Sequence, residues 1–167
     1  MQLVTYPSIA LNTVCDAVFV GQSTSEELRF IVDKMTDVMY TSEGVGLAAP
    51  QVGIMKRIVL VDASGGMSEN DLVVLVNPKI VWSSLELEEG SEGCLSLPGI
   101  NVPIVRSIAC HVEYHDITSH NTLSLKCTGL KARIVQHEID HLDGITLVDK
   151  LGPFARRTAL QDLKVNR

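Results

Sequence analysis

Long apolar runs are missing from this chain: Ile58–Val61 and Leu72–Val76 are among the longest, whereas a membrane-spanning helix needs about 20 such residues. No membrane partner is therefore expected. Positive charge is also short. Fourteen Lys and Arg stand against twenty Asp and Glu, a formal net charge of -6, which argues against wholesale binding to DNA or RNA because neutralised phosphates supply that affinity. Glycine (12) and proline (6) are too few for a collagen-like or disordered chain. Cysteine is limited to Cys15, Cys94, Cys110 and Cys127 with no CxxC spacing, so each is expected to be a free thiol or a ligand rather than half of a disulfide staple. The opening Met1 to Pro7 has no basic, long apolar or Arg-rich leader pattern, and the expected location is the cytoplasm.

What is present suits one globular domain over residues 1–167, with 46% hydrophobic and 20% charged residues. A chain of this length buries roughly two thirds of its unfolded surface without crosslinks. Ser23 and Thr24 each stand three residues before a glutamate (Glu26, Glu27), a capping-box pattern that predicts a helix start. Leu28, Ile31, Met35, Val38 and Met39 then form an apolar stripe at three- and four-residue spacing until Gly44 and Gly46 end it. Between 56 and 128, the runs Arg57–Val61, Leu72–Val76, Lys79–Trp82, Ile104–Tyr114 and Thr122–Cys127 read as strands. Ser64-Gly65-Gly66, Asn77-Pro78, Pro98-Gly99 and Thr118–Asn121 read as turns between them. No helix-length segment intervenes for parallel crossovers. The expected fold is α+β, with mainly antiparallel sheets packed around a central helix.

That helix is Leu130–Leu142, stopped near Gly144. At 100° per residue, Leu130, Ile134, His137 and His141 share one stripe, and Ala132, Val135, Ile139 and Leu142 share a nearly opposite one. A helix covered on two sides must find partners for its histidine rings, since an unpaired buried polar group costs about 1 to 3 kcal/mol. His137-Glu138-Ile139-Asp140-His141 also matches HExxH, in which the two histidines project to one point and the glutamate sits to the side, placed to move a proton. Such a match is either two metal ligands and a base or a pair of core histidines. A third ligand would separate these readings. His111, His115 and His120 lie in a predicted strand and turn with no geometric claim on the site, whereas Cys94 follows a flexible Gly93 and offers a soft sulfur suited to iron or zinc.

Three separated segments together resemble the peptide deformylase family: Gly44-Val45-Gly46-Leu47-Ala48-Ala49-Pro50-Gln51, then Glu92-Gly93-Cys94-Leu95-Ser96, then Gln136-His137-Glu138-Ile139-Asp140-His141. The resemblance spans roughly residues 6 to 150, with motif support in these three segments. It implies that Cys94, His137 and His141 hold one divalent metal, Fe(II) by preference, with Zn(II), Ni(II) and Co(II) also fitting the donors. It implies further that a metal-bound water attacks a formyl carbon with Glu138 as general acid/base, and that the Gln51 side chain and the Leu95 N–H stabilise the oxyanion. Val45, Gly46 and Gly93 would pair with an extended substrate as an added strand, and Leu130 and Ile134 would line a pocket for a methionine side chain. Glu92 and Asp140 would either orient the ligands or pair with a nearby arginine, for which Arg106 is one candidate. The implied substrates are N-formyl-methionyl nascent peptides.

The tail from Asp149 carries Lys150, Arg156, Arg157, Lys164 and Arg167, which is either a solvated helix face or, as the resemblance implies, a ribosome contact. Rival readings fit less of the sequence. An HExxH endopeptidase usually takes a third His or Glu rather than a distant cysteine, a Cys94/His hydrolase leaves Glu138 and one histidine idle, and a structural zinc module has no use for Glu138 and Gln51.

Overall fold

Glu26 and Glu27 open the first helix, where carboxylates complement the exposed amides and the positive end of the dipole. This helix, α1, runs Ser25–Thr41. Its stripe behaves as read: Leu28, Met35 and Met39 are buried, and Ile31 and Val38 pack against the same cluster. In a computed structural model that describes residues 1–19, 25–68, 71–119 and 121–165, the Ser23 and Thr24 capping pattern, His120 and Arg167 lie outside the described residues.

The strands follow as β1 (Gly46–Ala48), β2 (Ile58–Val61), β3 (Val73–Ser83), β4 (Leu87–Cys94), β5 (Leu97–Ser107), β6 (Ala109–His115) and β7 (Thr122–Thr128). Next come α2 (Gly129–Leu142) and α3 (Pro153–Val165). One sheet has the order β1-β2-β3-β6-β7, and β4 and β5 form a separate hairpin. All strand pairs are antiparallel, so the α+β fold built around the HExxH helix stands.

Three local expectations need correction. Leu72–Val76 and Lys79–Trp82 are one strand, β3, because Asn77-Pro78 makes a bulge rather than a turn, with a register shift between Val76 and Lys79. Proline has no amide to give the ladder and is tolerated at such a bulge. Asn77, at φ 50, exchanges side-chain hydrogen bonds with the Val18 N–H and C=O in place of the lost pairing. The run Ile104–Tyr114 is two strands in two sheets, β5 and β6, parted at Ile108. Pro98-Gly99 lies inside β5, and the hairpin turn is Leu95-Ser96, with Cys94 opposite Leu97.

α2 crosses the inner face of the large sheet. Ala132, Val135, Ile139 and Leu142 join a buried cluster with Val59, Val61, Leu75 and Val112, each full burial contributing about 1.5 to 3 kcal/mol. Gly144 ends the helix at φ 72, and a Cβ there would stand 3.0 Å from the Asn12 backbone, so glycine is required on two counts. α3 packs on β5 through Ala159 and Leu163. The hairpin is thereby held between α2 and α3, and its tip delivers Cys94 to the helix. Among the described residues, no helix is long and apolar enough to cross a membrane.

Candidate metal centre and cleft

His137 and His141, one turn apart on α2, bring their ring centroids to 5.0 Å. Cys94, at the end of β4, approaches from the opposite side, with its sulfur 3.2 Å from Nε2 of His141. One donor atom from each of the three residues lies within 4.8 Å of the others, so the side chains converge on one point, where an ion with bonds of about 2.0 to 2.3 Å would draw the widest pair slightly closer. Sulfur plus two imidazoles is a donor set for Zn(II), Fe(II), Ni(II) or Co(II), not for Mg(II) or Ca(II).

The electrostatics fit a cation at the same point. Burial alone would lower the pKa of His137, but Cys94, Glu138 and Glu92 beside it outweigh that and push it up to about 10, so positive charge is favoured here. His141 is shifted the other way. Burial, then the positive His137 and Arg106, hold it well below its ordinary value, leaving a neutral ring whose Nδ1 has no partner among the described residues.

The His137 ring is oriented by a charged neighbour. Nδ1 of His137 lies 3.0 Å from Oε2 of Glu92; with the carboxylate accepting, a ring N–H sits on Nδ1, and Nε2 is the atom at which a metal would take the place of a proton. Glu92 is buried and receives two bonds from Arg106, each 2.9 Å, and one from Arg133 at 2.8 Å. Burial opposes its ionisation, yet the hydrogen bonds from Arg106 and His137 hold its carboxyl well below the usual range. Arg106 also bonds Asp140, which Lys150 reaches at 2.9 Å. The expected grouping of Glu92, Asp140 and Arg106 is therefore present.

Arg133 was not foreseen. Its guanidinium donates to Glu92, to the Ile104 carbonyl and to the Glu88 carbonyl, tying α2 to both strands of the hairpin. The available signal was its place four residues before His137, on the same helix face. Gly90 makes room for it: a Cβ at this position would lie 2.8 Å from the guanidinium carbon.

Glu138 faces the centre from α2. Its Oε2 is buried with no partner among the described residues, and burial pushes its pKa up to about 7 against the pull of His137 and Arg106. A carboxyl poised near neutrality can both take and return a proton. Gln51, 1% exposed, accepts from the Ala48 N–H at 2.8 Å through Oε1. That bond fixes the amide so that Nε2 points to Ser96 Oγ (3.3 Å) and Cys94 Sγ (3.5 Å). Ser96 is the other side chain that the sequence reading did not assign.

A cavity of about 460 Å³ opens over this cluster, lined by Val45, Gly46, Gly93, Leu130, Ile134 and Arg133 among others. Leu95, next to Cys94 in the hairpin turn, lines it too. The structure thus gathers Cys94, His137, His141, Glu138 and Gln51 with the expected cleft residues Val45, Gly46, Gly93, Leu130 and Ile134 in one place, with Ile134 buried and Leu130 more than half exposed. His111 and His115 lie on β6 away from it, and His111 stacks on Trp82.

Comparison with known proteins converges on one family. A profile described as polypeptide deformylase matches residues 1–157. The peptide deformylase of Thermodesulfovibrio yellowstonii is 37% identical over 167 residues, covering all of this chain and 98% of that protein. That of Natranaerobius thermophilus is 42% identical over 125 residues, 75% of this chain and 77% of the relative. In three dimensions, the crystal structure of Arabidopsis thaliana peptide deformylase 1B in complex with an inhibitor superposes with a TM-score of 0.90 at 36% identity, over 99% of this chain and 89% of that one. The Legionella pneumophila peptide deformylase gives a TM-score of 0.90 at 35% identity over 98% and 93%.

Proposed function

Because this chain belongs to the peptide deformylase family of enzymes, we propose that it acts as one catalytic domain, residues 1–167, that removes the N-formyl group from the formyl-methionine of nascent polypeptides and releases formate. The observation that carries this reading is the unpartnered buried oxygen of Glu138 beside the Cys94, His137 and His141 cluster, a base next to a three-donor site.

Cys94, His137 and His141 would hold one divalent ion, with Fe(II) as the native metal. Bound there, such an ion acidifies a water and polarises the formyl oxygen. Glu138 takes a proton from the attacking water as the new C–O bond forms. It then gives that proton to the methionine nitrogen as the C–N bond breaks, leaving formate and a free amine. The Gln51 amide and the Leu95 N–H donate to the oxygen on which charge develops, and neither needs to be ionised to do so.

The substrate backbone lies along β1 as an added strand, bonded by Gly46 on one side and Gly93 on the other, while Val45, whose carbonyl is already taken by the Asp62 N–H, borders it. Its first side chain enters the pocket edged by Leu130 and Ile134. The enzyme works in the cytoplasm, and α3 is its ribosome-facing element. Lys150 and Arg156 already pair with Asp140 and Asp149, which leaves Arg157 and Lys164, among the described residues of the tail, as the cations offered to phosphates.

Formate release from formyl-Met-Ala-Ser by anaerobically prepared Fe(II) protein tests this reading. Formate without cleavage of the Met-Ala bond supports it; cleavage of that bond, or no formate with metal bound, overturns it. Activity retained after prolonged exposure to air would overturn the assignment of Fe(II).

A further inference from the structure

Asp62, directly after β2, is completely buried. Its Oδ1 accepts from the Ser64 N–H (2.8 Å) and hydroxyl (2.6 Å), and its Oδ2 from the Gly66 N–H (2.9 Å) and the Tyr40 hydroxyl (2.6 Å). The carboxylate therefore fastens a loop to the last turn of α1. Gly66, at φ +85, lies against the Tyr40 ring, where a Cβ would stand 3.3 Å from it. At the same residue the main chain faces another way. The Asp62 N–H donates to the Val45 carbonyl at 2.8 Å, extending the β1–β2 ladder, in which Gly46 is opposite Val61, by one position.

Alternation along β1 fixes what is left for a ligand. Val45 turns its carbonyl to β2, and the Ala48 N–H points away from β2 to Gln51, so Gly46, in phase with Ala48, presents its N–H and C=O to the open edge. β1 is the terminal strand of its sheet and is only three residues long. Its position is consequently set by what holds its ends. At one end stands Gln51; at the other, Glu43 takes φ 56 and the chain turns from α1 straight into Val45.

The geometry points to the Tyr40–Asp62 clasp as a positioning device for the strand edge that receives the substrate beyond its first residue, an inference that rests on the deformylase reading. Neither side chain touches the Cys94, His137 and His141 cluster. They act through the Val45 carbonyl, and so on the backbone pairing that a peptide of several residues makes and that a single formyl-methionine unit scarcely makes. Substrate length is thus the readout that separates this role from general support of the fold.

The test compares wild type with Tyr40→Phe, and with Asp62→Asn as a second variant, each loaded with metal and checked for metal content. The substrates are formyl-Met-Ala-Ser and formyl-Met amide. Loss of one net hydrogen bond corresponds to about three- to tenfold. A loss of that size in kcat/KM for Tyr40→Phe on the tripeptide, carried by KM, with less than about twofold on the amide, is the expected result. Equal losses on both substrates, or no loss on either, would overturn the clasp while leaving deformylation in place. A wild type that releases no formate from either would instead remove the deformylase reading, and this inference with it.

Discussion

The Cβ that Gly46 lacks would stand 2.5 Å from Oε1 of Glu138 and 2.7 Å from Cγ2 of Ile134. The edge strand and the HExxH helix therefore meet at backbone distance, and the proposed base occupies space that any side chain at 46 would take. This contact joins the proposed substrate-pairing edge to the proposed proton-transferring group in a single interaction.

Gly46→Ala should consequently move Glu138 rather than unfold the chain. We expect kcat/KM for formate release to fall about 10²-fold or more, in line with the contribution of a general acid/base, with metal content unchanged. Activity within a fewfold of wild type would show that Glu138 tolerates displacement and is not the base.

Removal of the metal should be visible in stability. An ion bound at 100 times its dissociation constant adds about 2.7 kcal/mol, so a chelator should lower the melting temperature of wild type. Cys94→Ala should melt at the same temperature with and without chelator. A chelator response retained in Cys94→Ala would place the ion elsewhere.

Much of this was legible in the sequence because it is written in helix periodicity. His137, Glu138 and His141 fall where spacing on α2 puts them, and the α1 stripe is buried as read. Strands β1 and β4 were not legible. β1 is three residues, Gly46–Ala48, buried throughout, with no alternation to detect. β4 is the acidic, glycine-containing run Leu87–Cys94, which has the composition of a connector and is a strand because β5 lies beside it along its length. The break at Ile108 was hidden because both flanking strands are β-branched and apolar, so a run of hydropathy does not reveal a change of sheet. Within the site, the motif segments named Cys94, His137, Glu138, His141 and Gln51, and Arg106 was one arginine among several that could have met Glu92, whereas Arg133 and Ser96 act through tertiary contacts with β4, β5 and Gln51.

Glu92 should matter to stability as well as to the orientation of His137. Truncation by Glu92→Ala leaves Arg106 and Arg133 facing a buried gap, and loss of one partner of a buried ion pair costs about 3 to 5 kcal/mol. Urea unfolding with chelator present isolates this from metal loss. Glu92→Gln, which keeps the shape and some hydrogen bonds, should lose less; equal loss in both would assign the effect to charge alone.

The Tyr40–Asp62 contact predicts opposite behaviour at the two ends of the pH scale. Burial raises the Asp62 carboxyl, but hydrogen bonds from Ser64, Tyr40 and Gly66 outweigh it and hold the group below its ordinary value. Its stabilising effect should be complete above about pH 4, the unfolded carboxylate value, and be lost as pH falls through the lower folded one. The stability difference between wild type and Asp62→Asn should shrink over that acid range.

Tyr40 is displaced the other way, pushed up to about 12 chiefly by its hydrogen bond to Asp62. Its contribution is complete below about pH 10 and lost as pH rises through the folded value. An ultraviolet titration of wild type minus Tyr40→Phe should show this phenol ionising near 12; a difference titrating at the ordinary tyrosine value would mean that the bond to Asp62 does not persist in solution.

The central claim is that Glu138 moves the proton in hydrolysis of a formamide held over the Cys94, His137 and His141 centre. It is tested most directly by formate release from formyl-Met-Ala-Ser under anaerobic conditions, with wild type and Glu138→Gln loaded to equal metal content. Wild type should release formate, and Glu138→Gln should be slower by about 10²- to 10⁴-fold at unchanged metal occupancy. Glutamine at 138 supporting a rate close to wild type, with metal in place, would contradict the claim.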